Sequence, residues 1–577
     1  VLARAELAAR QGKLAEAIDL FTSRADASPE PDRVWLRIAD LHESMGNLEA
    51  AIRSSRQAIV ARPGRDDPRL RLGDLLRIVG RLDEAAASLE PLLAEDPSSP
   101  GVRHALTAVR NGQGRFAEAV ELIEPLLDDP GLPANARKHY AVALAELGRR
   151  AAAADVWTEL LEADPFVVEG YYRLGRLARK LRRPTLARAM LERYERLSGY
   201  GERLESARKM ELAGRLDLAL LERAEAYAGT NQIGLAVEHY RRASQTPPTG
   251  AGASIAAILF FLRLDLLDEA DQAIRSLAST PSIPPHVPDA MAGLLAEREG
   301  RTRDAATAYE RALTFSPGYR AVLLALGGLR LEEGDLAAAA ALIQRAHRAQ
   351  ADAESHILLG RVDLSGERHR QARRRFEAAE ELAVRRSRRS EARLYLARSL
   401  MAGSEAEEAM RHLERAVSGS PSLAEAWESL AAVCRRLGRT ARAAEAQERA
   451  ATERTIQNEV AAIRRRLRGE TPAERAASHL RLASLAARRN APGRRLRYLE
   501  TAVHVDPDSH EAYRQLAGAY AEPPDVFLRI RALRRLSGLR PQDAEVLGRI
   551  AETYRTIGFR PAPGSRGGEP EREKSEE

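Results

Sequence analysis

Residues 34–63 read VWLRIADLHESMGNLEAAIRSSRQAIVARP, and the spacings inside this stretch decide the fold. Trp35, Ile38 and Ala39 stand at the three- and four-residue intervals that put side chains on one stripe of a helix. Gly46 supplies a residue able to take the left-handed conformation that ends such a helix. Ala51 and Ala58 belong to a second helix, which Pro63 stops, because the residue before a proline avoids helical geometry. The stretch is therefore two helices joined by a tight turn. A lone hairpin of this kind cannot cover its own apolar face.

Working outward, the same offsets return as Trp427, Leu430, Ala431, Gly438, Ala443 and Ala450, and as Leu72, Gly73, Gly80, Ala85 and Pro97. They recur in Leu326, Gly327, Gly334, Ala339 and Ala346, and in Gly293, Gly300, Ala305, Tyr309, Ala312 and Pro317. Small residues such as Gly73, Gly175, Gly327 and Gly360 let a second helix come close. Gly12, Gly46, Gly80, Gly114, Gly148, Gly300, Gly334 and Gly438 mark the turns. Second helices carry Ala with a bulky residue four on, as in Ala17 and Phe21, Ala153 and Trp157, or Ala372 and Phe376. About sixteen such units are countable, the last represented only by its first helix around Leu547, Ile550, Ala551 and Tyr554. The pattern resembles the tetratricopeptide repeat, with a period of ~34 residues. That resemblance implies an all-α, right-handed α-solenoid, a superhelix of helix-turn-helix repeats of the kind found in bacterial scaffold proteins.

Bulk properties agree. A chain of 577 residues exceeds what a single core organises, so it is several domains or one repeat array. Aromatics are 5%, which starves long strands of their usual material. Hydrophobic content of 44% beside 30% charge fits a folded chain rather than a disordered one. The net charge of +7, almost all the positive part being Arg, is a weak field when spread over this length. High Arg with little Lys hints at a GC-rich bacterial genome. Cys434, the single cysteine, rules out an intramolecular disulfide and a cysteine-based zinc site. No run of about 18 apolar residues exists to span a bilayer as a helix. The expected compartment is left open between the cytoplasm and a periplasmic or exported location for a soluble protein. The start at Val1 reads as a truncation that leaves a preceding domain or signal peptide open.

Three places break the register and suggest a division into 1–198, an N-terminal array; 199–216, an inserted helix or linker; and 217–451, a central array. A helical extension at 452–470, a C-terminal array at 471–560 and a disordered tail at 561–577 follow. Pro281, Pro284, Pro285 and Pro288 make residues 278–288 read as an extended loop.

In tetratricopeptide proteins a second stripe of the first helices lines the concave groove, and the resemblance carries that assignment to matching positions here. Central units present Leu218, Leu221, Ile255, Leu259, Leu262, Val287, Leu294, Leu324, Leu331, Ile357, Leu364, Leu394 and Met401. Flanking units present Glu169, Tyr172, Arg176 and Arg179 on one side and Glu425, Glu428 and Arg435 on the other. Such a trough suits a peptide or amphipathic helix with acidic flanks. Tight packing between repeats would instead consume the same stripe. The carboxylate clamp of chaperone-binding members needs Asn at a groove position where this chain has Asp40, Asp74, Arg176, Glu225, Leu259, Leu294, Arg361 and Arg398, so that subtype is not expected.

No catalytic constellation, cofactor motif or metal-ligand spacing emerges; His42, His104, His139, His239, His356, His369, His412, His479 and His510 are scattered. The expectation is a non-enzyme that holds one or more partner proteins. A polyanion-binding alternative rests on Arg373, Arg374, Arg375, Arg464, Arg465 and Arg466, within longer arginine clusters that include Arg488, Arg489, Arg494, Arg495 and Arg497. Nucleic acid is disfavoured because no unit-by-unit code and few stacking aromatics accompany these clusters. A third alternative makes the chain the repeat portion of a longer enzyme. Partner identity and oligomeric state are not legible.

Overall fold

The turn glycines show how the hairpins are built. In a computed structural model all eight predicted turn glycines have φ between 71° and 85°. Gly12, Gly46, Gly80, Gly114 and Gly148 follow one another every 34 residues, so one left-handed residue closes each first helix. The next position in that series is Arg182, at φ 56°, and Asn231, Asp265, Glu367 and Asn490 fill equivalent turns at φ 59°, 60°, 60° and 49°. Such residues tolerate this backbone at a cost of about 1 kcal/mol each.

The structure describes residues 1–129, 132–246, 251–281, 283–403, 405–539 and 543–557. Among them are 31 α-helices and two short 3₁₀ segments, with no strand. Successive helices pack in pairs from Leu2–Arg10 with Leu14–Thr22 onward, and Ala544–Thr556 is the last of the described helices. This is the α-solenoid architecture. The expected pairings fill the hairpin cores: Ala17, Ala153 and Ala372 are wholly buried beside Phe21, Trp157 and Phe376. Close approach is literal at Gly360, where a Cβ would lie 2.5 Å from the Phe376 ring.

The chain divides into two units, Val1–Pro248 with Pro507–Glu577, and Thr249–Asp506. These divisions fall at other places than the register breaks in the sequence. In the first unit the helix Pro184–Leu212 is 29 residues long, so residues 199–212 extend it instead of forming a separate inserted helix. Its far end returns to the second hairpin: Arg37 donates to the Leu212 carbonyl at 2.7 Å and Arg208 meets Glu43 at 3.3 Å. The C-terminal helices of the same unit dock on its fifth and sixth hairpins. Arg193 pairs with Asp525 at 2.7 Å, the Tyr171 and Phe527 rings lie 6.0 Å apart, and Arg534 and Tyr554 both hold Glu162.

In the second unit Thr440–Leu467 is a continuous helix of 28 residues. The loop expected over 278–288 is shorter than that. Leu267–Ala278 runs to its first residue, and His286–Glu299 takes Pro288 into its first turn, where the missing N–H costs nothing. The tail from 561 lies outside the described residues.

Candidate functional site

Asp265 organises the second unit. It occupies the left-handed turn after Ala251–Leu264, and its carboxylate is fully buried. Arg298 of His286–Glu299 donates to it at 2.7 Å and Arg464 of Thr440–Leu467 at 2.9 Å. The Tyr498 hydroxyl of Pro492–Val505 donates at 3.2 Å. One carboxylate thus fastens the first two hairpins of the unit to its last two, bridging 233 residues of sequence at Tyr498. Arg468 with Glu299 at 3.2 Å and Arg475 with Asp268 at 3.1 Å continue the seam. Burial, and then the Asp265 charge, push the Tyr498 phenol up from its usual range.

Beside this fastening lies a cavity of about 800 Å³. Leu259, Leu262 and Leu294 line it from the first two hairpins of the unit, and Val460, Leu482 and Leu485 from the last two. Six arginines also line it and no acid does. Three of the six are neutralised: Arg298 and Arg464 by Asp265, and Arg489 by Glu453 at 2.8 Å. Arg263, Arg494 and Arg497 have no acidic partner among the described residues. The Arg263 guanidinium lies 5.4 Å from the centre of the Phe260 ring. Burial, and then the neighbouring Arg263 and Arg494 charges, push the Arg497 guanidinium below its ordinary value. A site with cations and no counter-charge, backed by leucines, can accept an anionic group that also carries apolar surface.

The structure separates the predicted stripe into two kinds of residue. Leu259 is 49% exposed at the cavity, with half-buried Leu294 beside it and Leu262 buried in its wall. Leu324 and Leu331 are buried against Leu359 and Val362 of the next hairpin. Ile357 and Leu394 are buried in the following cluster, with Leu364 and Met401 packed on its edge. Val287 is buried as well, and Ile255 is half-buried. For Leu324, Leu331, Ile357 and Leu394 the stripe is consumed by contacts between neighbouring repeats, leaving little surface for a partner. Leu218 and Leu221 are half-buried and belong to the other unit.

In that unit Tyr172, 37% exposed, stands 5.3 Å from the Tyr194 ring with Arg176 above it at 5.6 Å, and Arg179 is exposed. Glu169 pairs with Arg173 at 3.1 Å. In the second unit Glu425 faces Arg398 at 3.5 Å and Glu428 holds Arg454 at 2.6 Å, while Arg435 bonds Gln447 at 3.2 Å.

Four of the six arginines on which the polyanion alternative rests are paired, Arg464 with Asp265 among them. Arg373 is shared among Glu377, Glu405 and Glu408, Arg375 is held by Asp363, and Arg466 pairs with Glu470. Only Arg374 and Arg465 of the six remain exposed without an ion pair among the described residues.

Sequence reading missed Asp265, although its place in the turn series, 34 residues after Asn231, was a usable signal. It also missed that folding pairs histidines: the His104 and His139 rings lie 5.5 Å apart and those of His347 and His356 4.7 Å apart. Among the described residues no group of three His, Cys, Asp or Glu side chains could hold a metal ion. No described helix is long and apolar enough to cross a membrane.

Similar solved structures include the Cut9–Hcn1 hetero-tetramer of the APC/C, at 14% identity and a TM-score of 0.35, covering 85% of this chain and 96% of that one. Yeast Tom70 matches at 14% identity with a TM-score of 0.31, covering 79% of this chain and 96% of its own. MamA matches at 19% identity with a TM-score of 0.24, over 29% of this chain and 96% of its own. No curated protein matches the sequence at a significant level. Tetratricopeptide repeat family models match residues 36–100, 103–166, 141–202, 357–424 and 396–459, and a further one matches 296–362. Together the matches span more than half of the sequence, and the chain belongs to the tetratricopeptide repeat family.

Proposed function

We propose that this protein is a non-catalytic scaffold whose Thr249–Asp506 unit seats a segment of a partner protein in the cavity beside Asp265. Interaction with other proteins is the usual role of its family. One observation carries the choice of place: of the central stripe Leu259 alone is exposed, at 49%, and half-buried Leu294 lines the same cavity, whereas Leu324, Leu331 and Leu394 are buried in clusters with neighbouring hairpins. An apolar wall with defined cations is what a helix or extended segment needs for affinity and register. The polyanion alternative is weaker, because carboxylates of the same chain already occupy most of the arginines proposed for it.

The test compares the tagged full chain with a Leu259→Asp, Leu294→Asp variant of the same helix content, both exposed to one cell extract at moderate and high salt. Proteins retained by the parent at both salts and lost from the variant support the reading. Identical retention by both chains overturns it.

A further inference from the structure

Resting on that reading, we infer the chemistry of the occupant: an acidic amphipathic protein segment. It lays apolar side chains against Leu259 and Leu294 and Asp or Glu carboxylates on Arg263, Arg494 and Arg497. The reasoning begins from charge. The lining holds six arginines and no acid, and only three of the six are neutralised from behind by Asp265 and Glu453. Arg263, whose guanidinium lies over the Phe260 ring, Arg494 and Arg497 therefore share one cavity with no acid to offset them, a repulsion that a bound anion removes. Arg489 adds a further demand, since its buried Nη2 has no hydrogen-bond partner.

The arrangement also favours a particular kind of anion. Arg494 and Arg497 are three residues apart on Pro492–Val505, so they stand on one helical face and match carboxylates at a three- or four-residue spacing. Arg263 comes from the opposite side, on Ala251–Leu264. The site draws on helices of the first and last hairpins of the unit, both of which Asp265 touches, and no single repeat contains it. Phosphate-rich polymers fit less well. Tyr498 is the sole aromatic among the lining residues and is 6% exposed, leaving no face for a base to stack on, while the leucine walls reward apolar side chains.

A random peptide display library, about 15 residues long, is selected on the full chain, and the enriched peptides are resynthesised with a fluorescent label. Their affinities are measured by anisotropy for the parent, for Arg263→Gln with Arg494→Gln and Arg497→Gln, and for Leu259→Ser. A single-stranded oligonucleotide of mixed sequence serves as a second probe. The expected peptides pair leucine-like residues with Asp or Glu at three- or four-residue spacing. They lose about tenfold or more affinity to the triple Gln variant and to salt, and Leu259→Ser weakens them as well. Peptides that depend on Leu259 but ignore the three arginines overturn the acidic occupant and leave the apolar seat standing. Peptides insensitive to both variants, or a library that yields no binder, overturn both readings. An oligonucleotide that binds more tightly than every peptide, and is lost with the three arginines, replaces the protein segment with nucleic acid. Far-UV circular dichroism confirms that each variant keeps the parent helix content.

Discussion

Pro184–Leu212 and Thr440–Leu467 are twice the length of an ordinary second helix here, and each carries the chain back to an early hairpin of its own unit. They finish differently. In the first unit the return ends in small contacts, with Arg37 on a helix-end carbonyl and Arg208 on Glu43. In the second the return ends on a buried aspartate with three donors, and a cavity with uncompensated arginines stays open beside it. One helical extension thus serves two purposes. Where polar groups meet and satisfy one another the seam is only structural, whereas cations left over beside exposed Leu259 make the other seam the place we propose for binding.

Core substitutions should separate packing from seam most strongly. Phe376→Ala empties the hairpin that Gly360 was shaped to receive and should cost about 3–5 kcal/mol in urea unfolding. Trp157→Ala should do the same in the other unit. A loss below about 1 kcal/mol at either site would mean that these hairpins are not the packed cores described.

Asp265→Ala should come next. It leaves Arg298 and Arg464 facing each other without a counter-charge, at about 3 kcal/mol, and should raise hydrogen exchange in Ala251–Leu264 and Thr440–Leu467 together. Cutting the corresponding contact in the first unit, with Arg208→Gln, should cost about 0.5 kcal/mol, since that arginine is half exposed. Equal losses in the two units would erase the contrast.

Acid should weaken the second unit through His479. Burial first, partly offset by Asp265, lowers its pKa to about 4 in the folded chain. A histidine depressed in this way contributes stability that is complete above the unfolded value of about 6.5 and is lost as pH falls toward the folded value. The second unit should therefore lose about 1–2 kcal/mol between pH 7 and pH 5, and His479→Gln should flatten that slope. An unchanged slope in the variant would remove His479 from the account. The surface arginines should matter as little as Arg208: Arg373→Gln should change stability by no more than about 0.5 kcal/mol, measured by urea unfolding.

Most of the hairpin architecture was legible because its period is local. Glycine at a left-handed turn and alanine beneath a bulky neighbour are requirements within one repeat, and Gly46, Ala153 and Trp157 meet them. The site was only half legible. Offsets on one helix singled out Leu259 and Leu294, but gave the same rank to Leu324 and Ile357, which the next hairpin covers. Covering depends on how neighbouring repeats pack, which offsets within one repeat do not encode. Asp265 and Arg464 are 199 residues apart, so their pairing is a property of the folded unit alone. The arginine runs were half legible for a similar reason: counting cations in sequence ignores the glutamates brought up by adjacent helices, as Arg373 shows, and does not single out Arg494 and Arg497, which no carboxylate pairs among the described residues.

Hydrogen-exchange mass spectrometry of the full chain, with and without the tightest peptide from the library, tests the location of binding most directly. The account predicts slowed exchange confined to Ala251–Leu264, the Leu294 turn of His286–Glu299 and Pro492–Val505, with the stretch from Leu324 to Leu394 unchanged. Protection centred on Leu324 to Leu394, with Pro492–Val505 untouched, would contradict it.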